Sequence, residues 1–279
     1  MGSRARIVVY APEEPIDAVR RAFEVIDRCD RAMSDYDPNS ESMVLAGRPP
    51  GVWHEASPLL IEAVLRSRDA WEASDGAFDI TIGAVTVLWR RSKETGVAPT
   101  REQLATAQQR VGMSLLQVDA DAGRVRLARE GMRLDFGGIG KGLAADLALA
   151  ELWHAGFETA LVEIGGDLVV GSPPPGAHGW SVRVSNGVAP GATLVLANEA
   201  VATSGDAYRY VEIDGVPASH VIEPATAIPA PSGGAVAVIA PEGWIADAVA
   251  TIARLRGNEA ASRAGGRLGG VRLVDPAGD

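Results

Sequence analysis

Residues 134–146 read Leu-Asp-Phe-Gly-Gly-Ile-Gly-Lys-Gly-Leu-Ala-Ala-Asp, and this stretch decides how the chain is interpreted. It predicts the end of an apolar strand, a glycine-rich turn and the start of a helix. Glycine has no Cβ, so the backbone of such a turn can approach a ligand closely. The unpaired N–H groups of a helix N-terminus attract anions. Asp135 and Lys141 add opposite charges on either side of the turn, which suits a phosphorylated ligand held with a metal ion.

Two well-known phosphate-binding motifs do not fit this stretch. A P-loop requires Ser or Thr directly after its lysine, whereas Gly142 follows Lys141. A dinucleotide-binding G-x-G-x-x-G motif fits Gly138 and Gly140, but Leu143 occupies the third glycine position. The alternative is a glycine-rich connection that binds no ligand, because glycine is common at tight turns. The remaining motifs have to distinguish a binding turn from a purely structural one.

The composition is that of an ordinary globular protein, with 47% hydrophobic and 22% charged residues in 279. The net charge of -10 disfavours non-specific binding to nucleic acid or to anionic membranes, so no nucleic-acid partner is expected. The lone Cys29 excludes an internal disulfide and a cysteine-based zinc site. The sequence has no apolar signal segment and no run near the ~20 apolar residues of a transmembrane helix, so the predicted location is the cytoplasm.

Hydrophobic spacing predicts helices and strands in an irregular order. The predicted helices cover residues 16–33, a short segment from 41, 58–74, 100–109, a segment after the glycine turn that ends near 156, and 245–254. The predicted strands cover residues 6–11, 115–118, 124–127, a segment that reaches 135, then 160–164, 180–184, 193–196, 200–203, 210–213, 235–240 and 270–274.

The connections complete this prediction. Residues 75–83 are expected to turn and lead into an extended segment, and 214–215 to form a turn. Residues 219–224 are expected to be extended and followed by a loop rich in Pro, Ala and Gly. The predicted class is α+β, with mixed or antiparallel sheets and flanking helices, because strands and helices do not strictly alternate. One domain is predicted over residues 1–279, with a boundary between two lobes near 172–178.

Several polar residues outside the glycine turn are candidates for a site. Asp79 lies between Phe78 and the β-branched run Ile-Thr-Ile, so it either caps a turn or binds a ligand. His220 has Glu223 three residues later, so its ring is either structural or oriented for chemistry. The Thr-Ser-Gly-Asp sequence at 203–206 offers hydroxyls and a carboxylate, which suit turn formation equally well.

Asp247 and Thr251 are spaced four residues apart on a predicted alanine-rich helix. This spacing places both side-chain oxygens on one helix face. A hard cation such as Mg²⁺ prefers oxygen ligands of this kind. The alternative is that Asp247 lies in the first helical turn and interacts with the helix dipole.

Taken together and in order, these motifs resemble those of the ApbE-like family of FAD:protein FMN transferases, over nearly the whole chain. The resemblance rests on Met-Gly-Ser at 1–3, Met33 with Asp-Pro-Asn-Ser-Glu at 37–41, Gly-Ala-Phe-Asp-Ile-Thr at 76–81, the glycine turn at 135–146, Gly-Gly-Asp at the end of 161–167, Thr-Ser-Gly-Asp at 203–206 and Ala-Asp-Ala-x-x-Thr at 246–251. Each motif alone is weak, but their common order is specific.

The resemblance implies an ApbE-like, T-fold-like architecture and a Mg²⁺-dependent enzyme. The implied reaction moves FMN from FAD to a Thr or Ser of an acceptor protein and releases AMP. His220 would activate the acceptor hydroxyl, with Glu223 orienting it. The carbonyl of Gly138, together with Asp247 and Thr251, would hold Mg²⁺. The implied FAD-binding residues are Met33, Ala77, Phe78, Asp79, Asp135, Lys141 and Ile222.

Three positions depart from the pattern of this family, which usually shows His-x-Ile-Asp-Pro-x-Thr-Gly and an alanine before the signature lysine. This chain has Glu223 for Asp, Ala227 for Gly and Gly140 for Ala. Glu moves the carboxylate by one methylene, and a displacement of ~1 Å can matter in catalysis. Ala adopts a glycine-type conformation only at a cost. Two alternatives therefore stay open: an FAD pyrophosphatase that yields FMN and AMP, or an FAD-binding protein with weak catalytic activity.

Overall fold

The computed structural model describes residues 2–184, 192–205, 210–213, 216–231 and 235–274. The helices are α1 (Ile16–Met33), α2 (Glu41–Ala46), α3 (Pro58–Ala73), α4 (Gly83–Thr95), α5 (Arg101–Gln108), α6 (Gly140–His154) and α7 (Gly243–Arg267). The strands are β1 (Ala5–Val9), β2 (His54–Glu55), β3 (Leu116–Asp119), β4 (Arg124–Leu127), β5 (Ala160–Ile164), β6 (Asp167–Val170), β7 (Trp180–Val184), β8 (Ala192–Leu196), β9 (Glu199–Gly205), β10 (Tyr210–Ile213), β11 (Val216–Glu223), β12 (Ile228–Pro231), β13 (Ala235–Ala240) and β14 (Arg272–Leu273).

A six-stranded antiparallel sheet in the order β1-β5-β6-β9-β13-β14 forms the centre of the fold. Helices α6 and α7 pack against this sheet and against each other, and α1 packs on α6. Smaller sheets are formed by β2-β4-β3, β7-β8 and β10-β11-β12. The predicted α+β class with antiparallel sheets and flanking helices is confirmed. No helix among the described residues is long and apolar enough to cross a membrane.

The core lies between the central sheet and helices α1, α3, α6 and α7. Leu143 and Leu152 of α6 and Ile252 of α7 are almost completely buried there. Each fully buried side chain of this size contributes about 1.5–3 kcal/mol to folding. This packing, rather than helix propensity, fixes α6 and α7 and thereby the position of the glycine turn before α6.

Several predicted helix ends are confirmed, and residues close in sequence cap them. Ser57 caps α3 by accepting a hydrogen bond from Leu60 N at 3.2 Å, and Pro58 is the first helical residue. Thr100 and Gln103 form a capping box at the start of α5. Gly156 follows the end of α6 with a positive φ of 90°. These ends were predictable because each depends on residues a few positions apart.

The prediction of an extended segment within residues 75–83 is wrong. The Asp79 carboxylate accepts hydrogen bonds from the backbone N–H of Thr81 at 2.8 Å and from its hydroxyl at 2.6 Å, which holds a turn, and α4 begins directly afterwards at Gly83. The predicted strand that reaches Asp135 is also wrong. This segment is irregular, with a single parallel bridge between Ile82 and Arg133.

The carboxy-terminal half differs from prediction in three places. Residues 228–231 form β12 instead of a loop, and β12 pairs with β11 at the edge of its sheet, where proline is tolerated. Helix α7 continues well past residue 254, across a non-helical Gly257 with φ 82°. The predicted strand at 270–274 is shorter, Arg272–Leu273, and lies at the edge of the central sheet. The turn predicted at 214–215 lies outside the described residues.

Candidate active site

The first turns of α6 and α7 meet and cap each other. A Cβ on Gly142 would lie 2.1 Å from the carbonyl oxygen of Gly243, so this close contact requires glycine. Asp146 of α6 accepts hydrogen bonds from Gly243 N at 2.7 Å and Trp244 N at 2.9 Å. Asp247 of α7 accepts one from Gly142 N at 3.2 Å. A carboxylate from each helix thus accepts hydrogen bonds from N–H groups in the first turn of the other helix, which have no partner within their own helix.

Lys141 lies between two buried carboxylates at this junction. Its Nζ is 3.0 Å from Asp247 Oδ1 and 3.0 Å from Asp167 Oδ2, and it donates to the Gly137 carbonyl at 3.3 Å. Burial alone would lower the pKa of Lys141, but the two carboxylates outweigh burial and raise this pKa. Lys141 therefore stays protonated and supplies a fixed positive charge beside the glycine turn.

Asp167 is positioned by a tight hairpin between β5 and β6. Gly165 and Gly166 have positive φ values of 60° and 96°, and Ile164 pairs with Asp167 across them. Two-residue hairpin turns favour glycine because both central residues need positive φ. Asp167 Oδ1 accepts a hydrogen bond from Thr203 N at 3.1 Å, and burial raises the pKa of the Asp167 carboxyl.

The predicted metal ligands lie together beside the glycine turn. A Cβ on Gly138 would lie 2.7 Å from Thr251 Oγ1 and 3.1 Å from Phe78 Cε2, so this backbone is in direct contact with the hydroxyl and the ring. Asp247 and Thr251 are one helical turn apart on α7. The set of a carbonyl, a carboxylate and a hydroxyl is all oxygen, which fits a hard cation such as Mg²⁺. No cluster of three or more His, Cys, Asp or Glu suited to a metal occurs among the described residues.

Asp79 and Asp135 lie in adjacent turns. Asp135 N donates to the Ile80 carbonyl at 2.7 Å, and Asp135 Oδ1 accepts from Gly137 N at 2.9 Å. Asp79 is 8% exposed, and burial raises the pKa of its carboxyl. The segment around Asp79 is therefore attached directly to the glycine turn, and both carboxylates also stabilise local backbone.

The other predicted FAD-binding residues occupy two environments. Ala77, Phe78 and Met33 are buried in the main body, and a Cβ on Gly140 would contact the Met33 sulfur at 3.7 Å. Ile222 is also buried, in a separate apolar cluster that includes Ile82, Val85, Trp89 and Ala227. The structure thus gathers Met33 and Phe78 around the glycine turn and places Ile222 on the side of α4.

The segment from His220 to Ala227 is more exposed. His220 is exposed on β11, and Glu223 Oε1 accepts hydrogen bonds from Arg256 at 2.8 Å and from Ala225 N at 3.3 Å. Ala227 has a positive φ of 58° although it is not glycine, and it is completely buried. The position where the family pattern has glycine therefore keeps a glycine-type conformation with alanine in it.

Arg90 links two aspartates near the glycine turn, and no motif in the sequence indicates this role. Its guanidinium is 2.5 Å from Asp35 Oδ2 and 3.6 Å from Asp135 Oδ2, and it lies 4.0 Å from the centre of the exposed Tyr36 ring. Burial, with a contribution from Asp135, raises the pKa of Asp35 to about 6. The helical period of α4, once recognised, would have marked Arg90 as a charge on a partly buried face.

Solved structures share this fold. The crystal structure of the ApbE protein from Thermotoga maritima superposes with a TM-score of 0.86 at 29% identity, covering 100% of this chain and 93% of that one. The apo flavinyl transferase ApbE of Pseudomonas stutzeri superposes with a TM-score of 0.81 at 23% identity, covering 98% and 92%, and at that identity it supports the fold alone. The architecture is thus that of the ApbE proteins.

The chain belongs to the ApbE family, whose model matches residues 1–271. An FAD:protein FMN transferase of Rhodobacter capsulatus is 30% identical over 247 residues, which are 86% of this chain and 46% of that protein. An FAD:protein FMN transferase of Treponema pallidum is 28% identical over 283 residues, 93% of this chain and 77% of that protein. The chain thus spans less than half of the first relative. The predicted family is confirmed by these matches, and the predicted transferase class agrees with the names of both relatives.

Proposed function

We propose that this chain is a Mg²⁺-dependent FAD:protein FMN transferase. It would move FMN from FAD to a Thr or Ser hydroxyl of an acceptor protein and release AMP. The observation that carries the proposal is the junction of α6 and α7, where Lys141, Asp247, Thr251 and the Gly138 backbone converge beside a helix N-terminus. Membership of the ApbE family and the names of the relatives support the same reaction.

In this proposal, the FAD pyrophosphate binds at the N-terminus of α6. The N-terminus of α6 favours negative charge, and the ammonium of Lys141, whose side chain is 17% exposed, adds a positive charge. Fixed charges of this kind stabilise a phosphoryl group as it is transferred, since they need no reorganisation during the reaction. The flavin site we propose is lined by Met33, Ala77, Phe78, Asp79, Asp135, Lys141 and Ile222.

The cation site we propose consists of the Gly138 carbonyl, Asp247 and Thr251. A Mg²⁺ ion bound there supplies charge neutralisation at the phosphate oxygens. Asp247 is held in place by Gly142 N and Lys141, so its orientation is fixed by the helix junction. Thr251 Oγ1 lies close to the Gly138 backbone, since a Cβ there would be 2.7 Å from it.

His220 is the residue that we propose to accept the proton of the acceptor hydroxyl. It is exposed on β11, as a group that meets a second protein must be. Glu223 lies on the same strand, and its carboxylate is held by Arg256 at 2.8 Å. In this proposal Glu223 acts on the geometry of the strand end and on the local charge around His220.

The test is incubation with FAD, Mg²⁺ and a Thr-containing acceptor domain, followed by flavin fluorescence on a denaturing gel and chromatography of the nucleotides. A fluorescent acceptor together with AMP supports the transferase. FMN and AMP with no labelled acceptor, across several acceptor domains, would contradict it and favour the pyrophosphatase. FAD that binds but stays intact would favour a binding protein.

The alternative of an FAD-binding protein with weak catalytic activity is supported by the departures from the family pattern at Glu223 and Ala227. Ala227 holds a positive φ of 58°, and Glu223 is paired with Arg256. The double variant Glu223→Asp with Ala227→Gly restores the family pattern. If the double variant turns over FAD much faster than the unaltered chain, the unaltered chain is an FAD-binding protein with weak activity. If both proteins turn over FAD at a similar, measurable rate, the unaltered chain is already an active enzyme.

A further inference from the structure

Lys141 and a bound cation would compete for the same carboxylate. Lys141 Nζ contacts both oxygens of Asp247, at 3.0 and 3.1 Å. A cation at Asp247 would share these oxygens with the ammonium, and repulsion between the two positive charges would weaken the contact between Lys141 and Asp247. A buried ammonium that lost its carboxylate would be costly, because a buried charge is stable only when it is paired.

Asp167 offers the ammonium a second, fixed partner. Its Oδ2 is 3.0 Å from Lys141 Nζ, and its Oδ1 is held by Thr203 N at 3.1 Å. The carboxylate is 3% exposed and stands directly after the Gly165–Gly166 hairpin turn. A Cβ on Gly165 would lie 3.5 Å from Lys141 Cδ, so the lysine stem runs along this turn on its way to Asp167.

We propose that Asp167 is a positioning residue that keeps Lys141 in place when Asp247 binds a cation. This inference rests on the cation site in the proposed function. Two carboxylates share one ammonium in the structure. When a divalent cation binds Asp247, Lys141 keeps its ion pair with Asp167 and stays directed at the pyrophosphate site. Without Asp167, the cation and the lysine would exclude each other.

The chain offers a clean way to observe this lysine. The sequence contains two lysines, Lys93 and Lys141, and Lys93 is exposed. Protein labelled with ¹⁵N-lysine therefore gives two ammonium groups, one buried and one in contact with water. Hydrogen exchange of the Lys141 ammonium reports whether it is paired, and Lys93 serves as the internal reference.

The experiment measures this exchange by NMR in the full chain and in Asp167→Asn, each with and without saturating Mg²⁺. In the unaltered chain we expect the Lys141 ammonium to be protected in both conditions. In Asp167→Asn we expect protection without Mg²⁺, from Asp247, and exchange at least about tenfold faster with Mg²⁺, the size expected when a charged group loses its last charged partner. If Asp167 had only a structural role, its replacement would change the exchange of the Lys141 ammonium equally with and without Mg²⁺. If Asp167 acted only through its charge, Asp167→Asn would bind Mg²⁺ more weakly, but the Lys141 ammonium would stay protected at Mg²⁺ saturation.

The outcomes separate this inference from the proposed cation site. Mn²⁺ titration followed by electron paramagnetic resonance should show a site in the unaltered chain that Asp247→Ala lacks; equal binding in both would remove the cation site and this inference with it. A site that depends on Asp247, combined with Lys141 exchange that Asp167→Asn leaves unchanged under Mg²⁺, overturns the positioning role alone. If Asp167→Asn does not fold, the unaltered chain still tests the proposal. Loss of protection of its Lys141 ammonium on saturation with Mg²⁺ would overturn the proposal.

Discussion

The junction of α6 and α7 and the segment from His220 to Ala227 carry the two halves of the proposed reaction, and they are built differently. At the junction, buried charges each have several partners, and the backbones of two helices touch at Gly142 and Gly243. The second segment has an exposed histidine, an ion pair with Arg256 and a non-glycine residue in a left-handed conformation. The binding geometry at the junction is thus part of the core, whereas the polar side chains His220 and Glu223 of the second segment are at least partly exposed.

The strongest test of this contrast is Asp247→Ala. The change removes a cation ligand and a partner of Lys141, so we expect Mg²⁺-dependent FAD turnover to fall at least about 100-fold, since a bound cation contributes several kcal/mol to charge stabilisation. Turnover is measured by nucleotide chromatography across a Mg²⁺ titration. Glu259→Ala is the matched control, since it lies on the same helix and its side chain is 90% exposed. Unchanged turnover in Asp247→Ala would remove Asp247 from the site.

Asp146→Ala tests whether the junction is also a folding element. The carboxylate caps two N–H groups at the start of α7, at Gly243 and Trp244. Its removal leaves these donors buried, so we expect the free energy of unfolding to fall by about 2 kcal/mol. Urea unfolding followed by circular dichroism measures this loss, with Glu259→Ala again as the reference. A loss below that of the reference would show that the cap contributes nothing.

Asp146 also predicts a pH dependence of stability. Burial raises the pKa of its carboxyl from 3.8 to about 7, and the N–H groups of Gly243 and Trp244 oppose this increase. Between these values the folded protein keeps a proton that the unfolded chain releases, so the free energy of unfolding contributed by Asp146 falls as the pH rises through this window and is constant above it. Urea unfolding at pH 5 and pH 8 should therefore differ less in Asp146→Asn than in the unaltered chain. An equal difference in both proteins would contradict the assignment.

Ala227→Gly has the smallest expected effect and tests the other half of the contrast. Glycine relieves the strain of the positive φ of 58°, worth about 1–2 kcal/mol, but it removes a fully buried methyl, worth about 0.8 kcal/mol. The two effects nearly offset each other, so we expect the free energy of unfolding to change by no more than about 1 kcal/mol, in the stabilising direction. Thermal unfolding measures it, and a clear destabilisation would mean that the methyl packing outweighs the strain.

Most elements were predictable because their signals are local. Residue spacing predicted α1 and the helices over 58–74 and 100–109, which the structure has as α1, α3 and α5. The start of α4 at Gly83 was not predicted, because the β-branched residues before it favour an extended segment, whereas the Asp79 carboxylate holds a turn there. Local composition cannot show which side chain will capture a neighbouring backbone N–H.

The candidate site was predictable only in part, for a related reason. The Gly138–Lys141 turn and Asp247 carry recognisable motifs, and the structure brings them together. The pairings of Arg90 with Asp35 and of Asp167 with Lys141 join residues far apart in sequence. Such ion pairs depend on how the helices and the sheet pack, which residue spacing alone does not encode.

The mutual capping of α6 and α7 has a consequence for native-state dynamics. If the start of either helix opens, it exposes an amide whose acceptor belongs to the other, so the N–H groups of Gly142 and Gly243 should become accessible in the same opening event. Amide hydrogen exchange at these two positions would then show a common opening free energy, as expected for one cooperative unit. The two halves of the cation site, the turn before α6 and the first turns of α7, would form and dissolve together.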